Sequence, residues 1–176
     1  AVAERRGDRR PAGRVEAWDA GRGLRHPGRA RSPFGEAPRR LERFNDELLA
    51  QLRLGTHEDV TVTGAQGDPV QMWVVYPPGF DARKKYPVLH SIHGGPHAAA
   101  GDTFHYRWNS HVFAAQGYVV AALNYHGSSG FGHAFLDSIT HRWGELELQD
   151  VEAGTDWLLK KPWVDRQRIF ATGGSY

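Results

Sequence analysis

The stretch Ile169 to Tyr176 narrows the folds open to this chain more than any other. Ile169-Phe170-Ala171-Thr172 reads as a short strand, and Gly173-Gly174-Ser175-Tyr176 follows without a spacer. A strand running into Gly-x-Ser-x matches four positions of the five-residue Gly-x-Ser-x-Gly elbow. That elbow holds a serine on a sharp strand-to-helix turn, with its hydroxyl clear of the sheet. Gly-Gly-Ser is also ordinary loop chemistry, so these residues alone leave a plain turn open.

A second signal lies upstream. His93-Gly94-Gly95-Pro96 follows Tyr86-Pro87-Val88-Leu89-His90-Ser91-Ile92, a good strand candidate. In α/β-hydrolases the loop after the third strand carries a motif of this type, and one of its backbone N–H groups forms half of an oxyanion hole. The other half is the N–H after the nucleophile, here Tyr176. Glycines suit such a loop because they tolerate positive φ and let the main chain come close to a carbonyl. The candidate site is therefore Ser175 as nucleophile, with Gly94, Gly95 and Tyr176 as oxyanion donors. A plain Gly-Gly-Pro turn is the competing reading of residues 94–96.

The segments between the two signals fit one architecture. The spacing of Phe104, Trp108, His111 or Val112, and Ala115 predicts a helix over Thr103 to Gln116, stopped by Gly117. Tyr118 to Leu123 is a continuous apolar run, as in a strand buried on both faces. The glycine-rich loop Asn124 to Gly132 follows, then a predicted helix over Glu145 to Lys161 that Pro162 ends, then a strand at Arg168 to Thr172. Upstream, His57 to Thr63 and Val70 to Tyr76 alternate as the strands of a hairpin around Gly64 to Pro69. The expected fold class is α/β, a doubly wound and mostly parallel sheet opened by an antiparallel hairpin, in partial α/β-hydrolase order. The expected divisions are an arm at 1–39, a connector at 40–55 and the N-terminal half of a hydrolase domain at 56–176.

From about Arg40 onward the chain resembles the catalytic domain of the prolyl oligopeptidase family of serine peptidases, especially its acylaminoacyl-peptidase and dipeptidyl-peptidase-like branches. The resemblance rests on Tyr76-Pro77-Pro78-Gly79-Phe80, His93-Gly94-Gly95-Pro96, Asn124 to Gly132, Trp143-Gly144 through Gln149-Asp150-Val151, and Gly173 to Tyr176, in that order. It implies a Ser-His-Asp hydrolase that cleaves short peptides, with a β-propeller domain before the hydrolase domain and no cofactor. The triad of this fold runs Ser, Asp, His along the chain, so no residue before Ser175 takes the last two roles. The propeller and the later half of the hydrolase domain are expected partners outside this stretch, and Leu41 to Leu49 is read as a final propeller piece and connector. The family's usual arginine in the Asn-Tyr-Arg-Gly-Ser loop is His126 here, which weakens any role there that needs a permanent charge. Cut at the nucleophile, strand 168–172 is expected at a sheet edge with bare apolar faces. This polypeptide by itself is accordingly expected to be poorly stable and inactive. A carboxylesterase on the same fold and a non-catalytic remnant or binding protein stay open as alternatives, since a fold does not choose its chemistry.

Composition excludes several classes. There is no cysteine, hence no disulfide framework and no thiolate chemistry. No apolar run reaches membrane-spanning length, and no secretory signal is visible. Localisation is left open, with the cytoplasm favoured over the periplasm. The ten histidines form no HExxH or Cys/His pattern, so no metal site is expected. His93 reads as a loop residue shaping the oxyanion hole and His111 as a packed helix residue. Trp108, Trp143, Trp157 and Trp163 read as packing residues, and Asp150 and Asp156 as helix-surface or loop-anchoring carboxylates.

Twelve arginines fall between Arg5 and Arg43, while the first lysine is Lys84. The arm that carries them is rich in Gly, Ala and Pro with almost no apolar period, which predicts disorder. It reads as an out-of-frame translation, a solvated tail, or a basic arm for nucleic acid, in that order of preference. The pI of 9.1 comes mainly from this arm, and no nucleic-acid partner is expected of the remainder.

Overall fold

The computed structural model describes residues 43–101 and 105–176. The expected arm at 1–39 lies outside them, as do Leu41, Glu42 and the start of the helix expected at Thr103. A short helix α1 at Asp46–Ala50 precedes the sheet. Strands β1 (His57–Thr63) and β2 (Pro69–Val75) form an antiparallel hairpin, closed by a 3₁₀ turn at Ala65–Gly67. Strands β3 (Tyr86–Ile92), β4 (Val119–Leu123) and β5 (Val164–Gly173) complete a five-stranded sheet in the order β1-β2-β4-β3-β5. β2 pairs antiparallel with β4, and β3 pairs parallel with both β4 and β5. This is the mixed, doubly wound order expected of the opening strands of an α/β-hydrolase.

Helix α2 (Ser110–Ala115) covers one face of the sheet. Val75, Val120 and Ala114 pack there, and Trp73 and Ala122 form a small cluster of their own. Short helix α3 (His133–Asp137) follows the glycine-rich loop, and α4 (Leu146–Leu159) covers the opposite face. There Met72, Val74, Val88, Ala121 and Leu123 meet Leu158, Trp163 and Val164. Alternate residues of one strand thus feed different layers, which is why β4 is apolar and buried throughout.

The structure shortens one expected helix. α2 begins at Ser110 rather than near Thr103, because the Asn109 side chain accepts the His111 N–H at 3.0 Å and so supplies an N-cap. Residues 105–108 turn instead, the His105 Nδ1 accepting the N–H groups of Arg107 and Trp108. β5 is longer than expected, since it bulges between its pairings Tyr86 with Val164 and Val88 with Ile169. Polar residues 165–168 fill the bulge, with Arg168 bonded to Asp165 at 2.6 Å. β5 is an edge of the sheet as expected, and Phe170 is 47% exposed on it. Trp163 is buried as expected, but Trp108 and Trp143 are not core residues.

Gly154 brings the backbone of α4 close to the sheet. A Cβ there would lie 2.7 Å from Leu123 Cδ1 and 3.3 Å from Met72 Sδ. Gly154→Val should therefore destabilise the fold by about 1–3 kcal/mol through overpacking, despite the better helix propensity of a side chain. Urea unfolding of the two proteins measures the difference.

Candidate active site

β3 and β5 are neighbours, so their C-terminal ends open side by side. Ile92 pairs with Gly173, and the loops that follow carry His93-Gly94-Gly95 and Gly174-Ser175-Tyr176. Ser175 holds φ 66°, the left-handed conformation that a serine adopts only in a sharp, constrained turn. Gly94 lies against this turn. A Cβ on Gly94 would stand 2.6 Å from the Gly174 carbonyl oxygen and 2.8 Å from that of Ser175. Only glycine fits there, for reasons of space. Gly95 is glycine for conformation, at φ 135°. The structure thus brings Gly94, Gly95, Ser175 and Tyr176 to one sheet end.

The loop at 93–101 has few side chains with which to pack, and hydrogen bonds fasten it to the loop after β4. Tyr125 Oη donates to the His93 carbonyl at 2.6 Å, and its ring stacks on the His93 ring at 4.2 Å. His93 Nδ1 donates to the Gly94 carbonyl at 2.9 Å, so Nε2 accepts from Ser128 Oγ at 2.9 Å. His97 Nδ1 donates to the Gly127 carbonyl, the Ser129 N–H donates to the Ala98 carbonyl, and Asn124 bonds both N–H and C=O of Ala100. Both His93 nitrogens are engaged, which suits a loop-shaping residue and leaves the ring no free nitrogen for a substrate proton. A cavity of about 300 Å³ opens beside this junction, lined among others by Ile92, His93, Gly94, Trp108 and Gly174.

Two buried carboxylates stand behind the junction. Glu147 accepts from Tyr176 Oη with one oxygen and from the Gly144 N–H, at 3.0 Å, with the other. Trp143 stands edge-on to the Tyr176 ring. Burial, with Glu147 beside it, pushes the Tyr176 hydroxyl up to about 12. Asp150 is fully buried and accepts three N–H donors: Ala65 N at 2.7 Å, His126 N at 2.6 Å and His126 Nδ1 at 2.7 Å. The other ring nitrogen of His126 lies 3.2 Å from Asp68 Oδ2. Asp150 is the loop anchor that the sequence allowed it to be, whereas Asp156 is exposed. Reasoning from sequence missed Glu147. Its place three residues before Asp150, on the same helical side, was the available signal. Trp108 lies against Gly174 rather than in the core. Among the described residues no group of three or more His, Asp or Glu is arranged to hold a metal ion, and no helix is long and apolar enough to cross a membrane.

Known proteins share this arrangement of strands and loops. A model described as the prolyl oligopeptidase family matches residues 104–176. The chain belongs to the prolyl oligopeptidase family. Dipeptidyl-peptidase 5 of Schizosaccharomyces pombe is 36% identical over 141 residues, which are 77% of this chain and 21% of that protein. The probable dipeptidyl-peptidase 5 of Aspergillus terreus is 44% identical over 108 residues, or 61% of this chain and 15% of that protein. An acylaminoacyl peptidase solved in complex with Z-Gly-Gly-Phe-chloromethyl ketone superposes with a TM-score of 0.69 and 27% identity, over 77% of this chain and 22% of its own. The chain therefore spans about a fifth of these relatives' length, or less.

Two histidines, His90 in β3 and His93 just after it, tie the stability of the fold to pH. Burial lowers the pKa of both His90 and His93 below the ordinary 6.5, and the bond from His93 to the Gly94 carbonyl offsets part of the effect for His93. His90 Nε2 donates to Thr155 Oγ at 3.0 Å, because that hydroxyl's own proton goes to the Val151 carbonyl. The unfolded chain then binds more protons than the folded one as pH falls through 6.5, so stability should decline on that acid side. Thermal unfolding between pH 8 and pH 5 checks this, and His90→Gln should flatten the decline.

Proposed function

We propose that this chain supplies the nucleophile and oxyanion end of a serine peptidase that hydrolyses peptide bonds of short peptides. Ser175 Oγ attacks the scissile carbonyl carbon, and its proton passes to a histidine that follows it in the order this fold uses. The developing oxyanion is held by the Tyr176 N–H and by an N–H of Gly94 or Gly95. The tetrahedral intermediate then collapses, the amine leaves with that proton, and water releases the acyl group by the same route. One observation carries the reading above the others: the Gly94 main chain lies against the main chain of a serine held at φ 66°, with no room for a Cβ between them. Both loops of an oxyanion hole meet there. The relatives that match are named as peptidases, which favours amide over ester substrates. The domain limits proposed are a connector at 40–55 and a hydrolase half at 56–176, completed by further hydrolase strands and a propeller.

A fluorophosphonate probe on the complete protein tests the assignment. Mass spectrometry should find the label on the peptide containing Ser175, and Ser175→Ala should abolish both labelling and hydrolysis of short peptide amides. Gly94→Ala should keep the serine yet slow labelling roughly 100-fold, because the new methyl would push the donor loop off the elbow. Label on a different serine, or an active Ser175→Ala protein, would overturn the proposal.

A further inference from the structure

Each half of the proposed oxyanion hole is tied to helix α4 by a different buried carboxylate. Glu147 and Asp150 are three residues apart and so project from one side of the helix's first turns. Both are buried, Glu147 at 6% and Asp150 at 0% exposure. Glu147 holds the elbow by accepting from Tyr176 Oη, while its second oxygen accepts from Gly144 N–H. Asp150 holds the loop after β4 by accepting from both the N–H and the ring of His126. The residues on either side of His126 then grip the other half: Tyr125 bonds the His93 carbonyl, Ser128 the His93 ring, and Gly127 the ring of His97. Asp150 also anchors the hairpin turn through Ala65, and Gly64 leaves it room, since a Cβ there would lie 2.3 Å from Asp150 Oδ1.

We propose that Glu147 and Asp150 are positioning residues that set the distance between the two oxyanion-donating loops by tying both to one rigid helix. Neither carboxylate touches the reacting atoms. Their contribution is to fix Tyr176 N–H and the Gly94–Gly95 main chain before charge develops, which is when preorganised donors matter. The inference rests on the function proposed above.

The test compares variants of the complete protein by the rate of fluorophosphonate labelling at Ser175 and by kcat and KM for a short peptide amide. Glu147→Ala and Asp150→Asn should each lower kcat and the labelling rate roughly 10- to 100-fold, with KM changed little. Glu147→Gln should recover most of the loss. Its carbonyl can accept from Gly144 N–H while its amide donates to the tyrosine oxygen, which accepts as well as donates. Tyr176→Phe keeps the ring and the N–H, and should slow labelling in the same direction through loss of the tether alone. It decides the Glu147 tether if Glu147→Ala fails to fold, and Tyr125→Phe, which removes the bond to the His93 carbonyl, decides the other tether in the same way if Asp150→Asn fails to fold. Wild-type labelling together with variants that label at the wild-type rate, or that alter only KM, overturns this inference and leaves the proposed function intact. Absence of labelling in the folded wild type overturns both.

Discussion

The parallel pairing of β3 with both β4 and β5 is the constraint from which the rest of the site follows. It sets β3 between its neighbours, so the loop leaving β3 is flanked by the loop leaving β4 and by the turn leaving β5. All three leave the same end of the sheet because the strands are parallel. In open α/β sheets that end is where ligands bind. Gly94 can then approach the Ser175 turn directly, and Asn124 to Ser129 can bond the far side of the same loop. A different strand order would separate His93 from Ser128 and Gly94 from Ser175, whatever their sequence motifs.

The strands were legible in the sequence because β4 is an unbroken apolar run and β1 alternates apolar with polar residues. β3 has the expected limits of Tyr86 and Ile92, and β4 differs from expectation by one residue. The serine turn and the glycine loop were legible because their chemistry demands glycine at few positions. What escaped had a different cause. The late start of α2 depends on a single cap at Asn109, which competed with a weak apolar period running through Phe104 and Trp108. The bulge in β5 is polar, and polar residues 165–168 do not read as strand. Glu147 escaped because its partner Tyr176 lies 29 residues away. Asp150 bonds residues 85 and 24 positions away. No local window holds such pairs.

His126 stands where the family resemblance implies an arginine. The position does not serve as a permanent surface cation. It presents two ring nitrogens, one toward Asp150 and one toward Asp68, and stacks its face on Phe135 at 4.4 Å. What the fold uses is a flat side chain with polar atoms at fixed angles, packed between α3 and the hairpin turn. That demand is geometric, and it ties β1, β2 and α4 to the loop that braces His93.

The glycines create the problem that the carboxylates answer. The loop after β3 needs glycine, since Gly94 has no room for a Cβ and Gly95 holds φ 135°. Glycine also brings the largest conformational entropy and no side chain with which to pack. Apolar packing therefore cannot hold the loop still, and directional bonds must. A buried carboxylate is costly unless both of its oxygens find donors. Asp150 meets that condition with three N–H groups, and Glu147 with one N–H and one hydroxyl. Satisfied networks of this kind are rigid and specify one arrangement, because any displacement would expose a charge without a partner. Loops too small to pack are thus held by charges too buried to move.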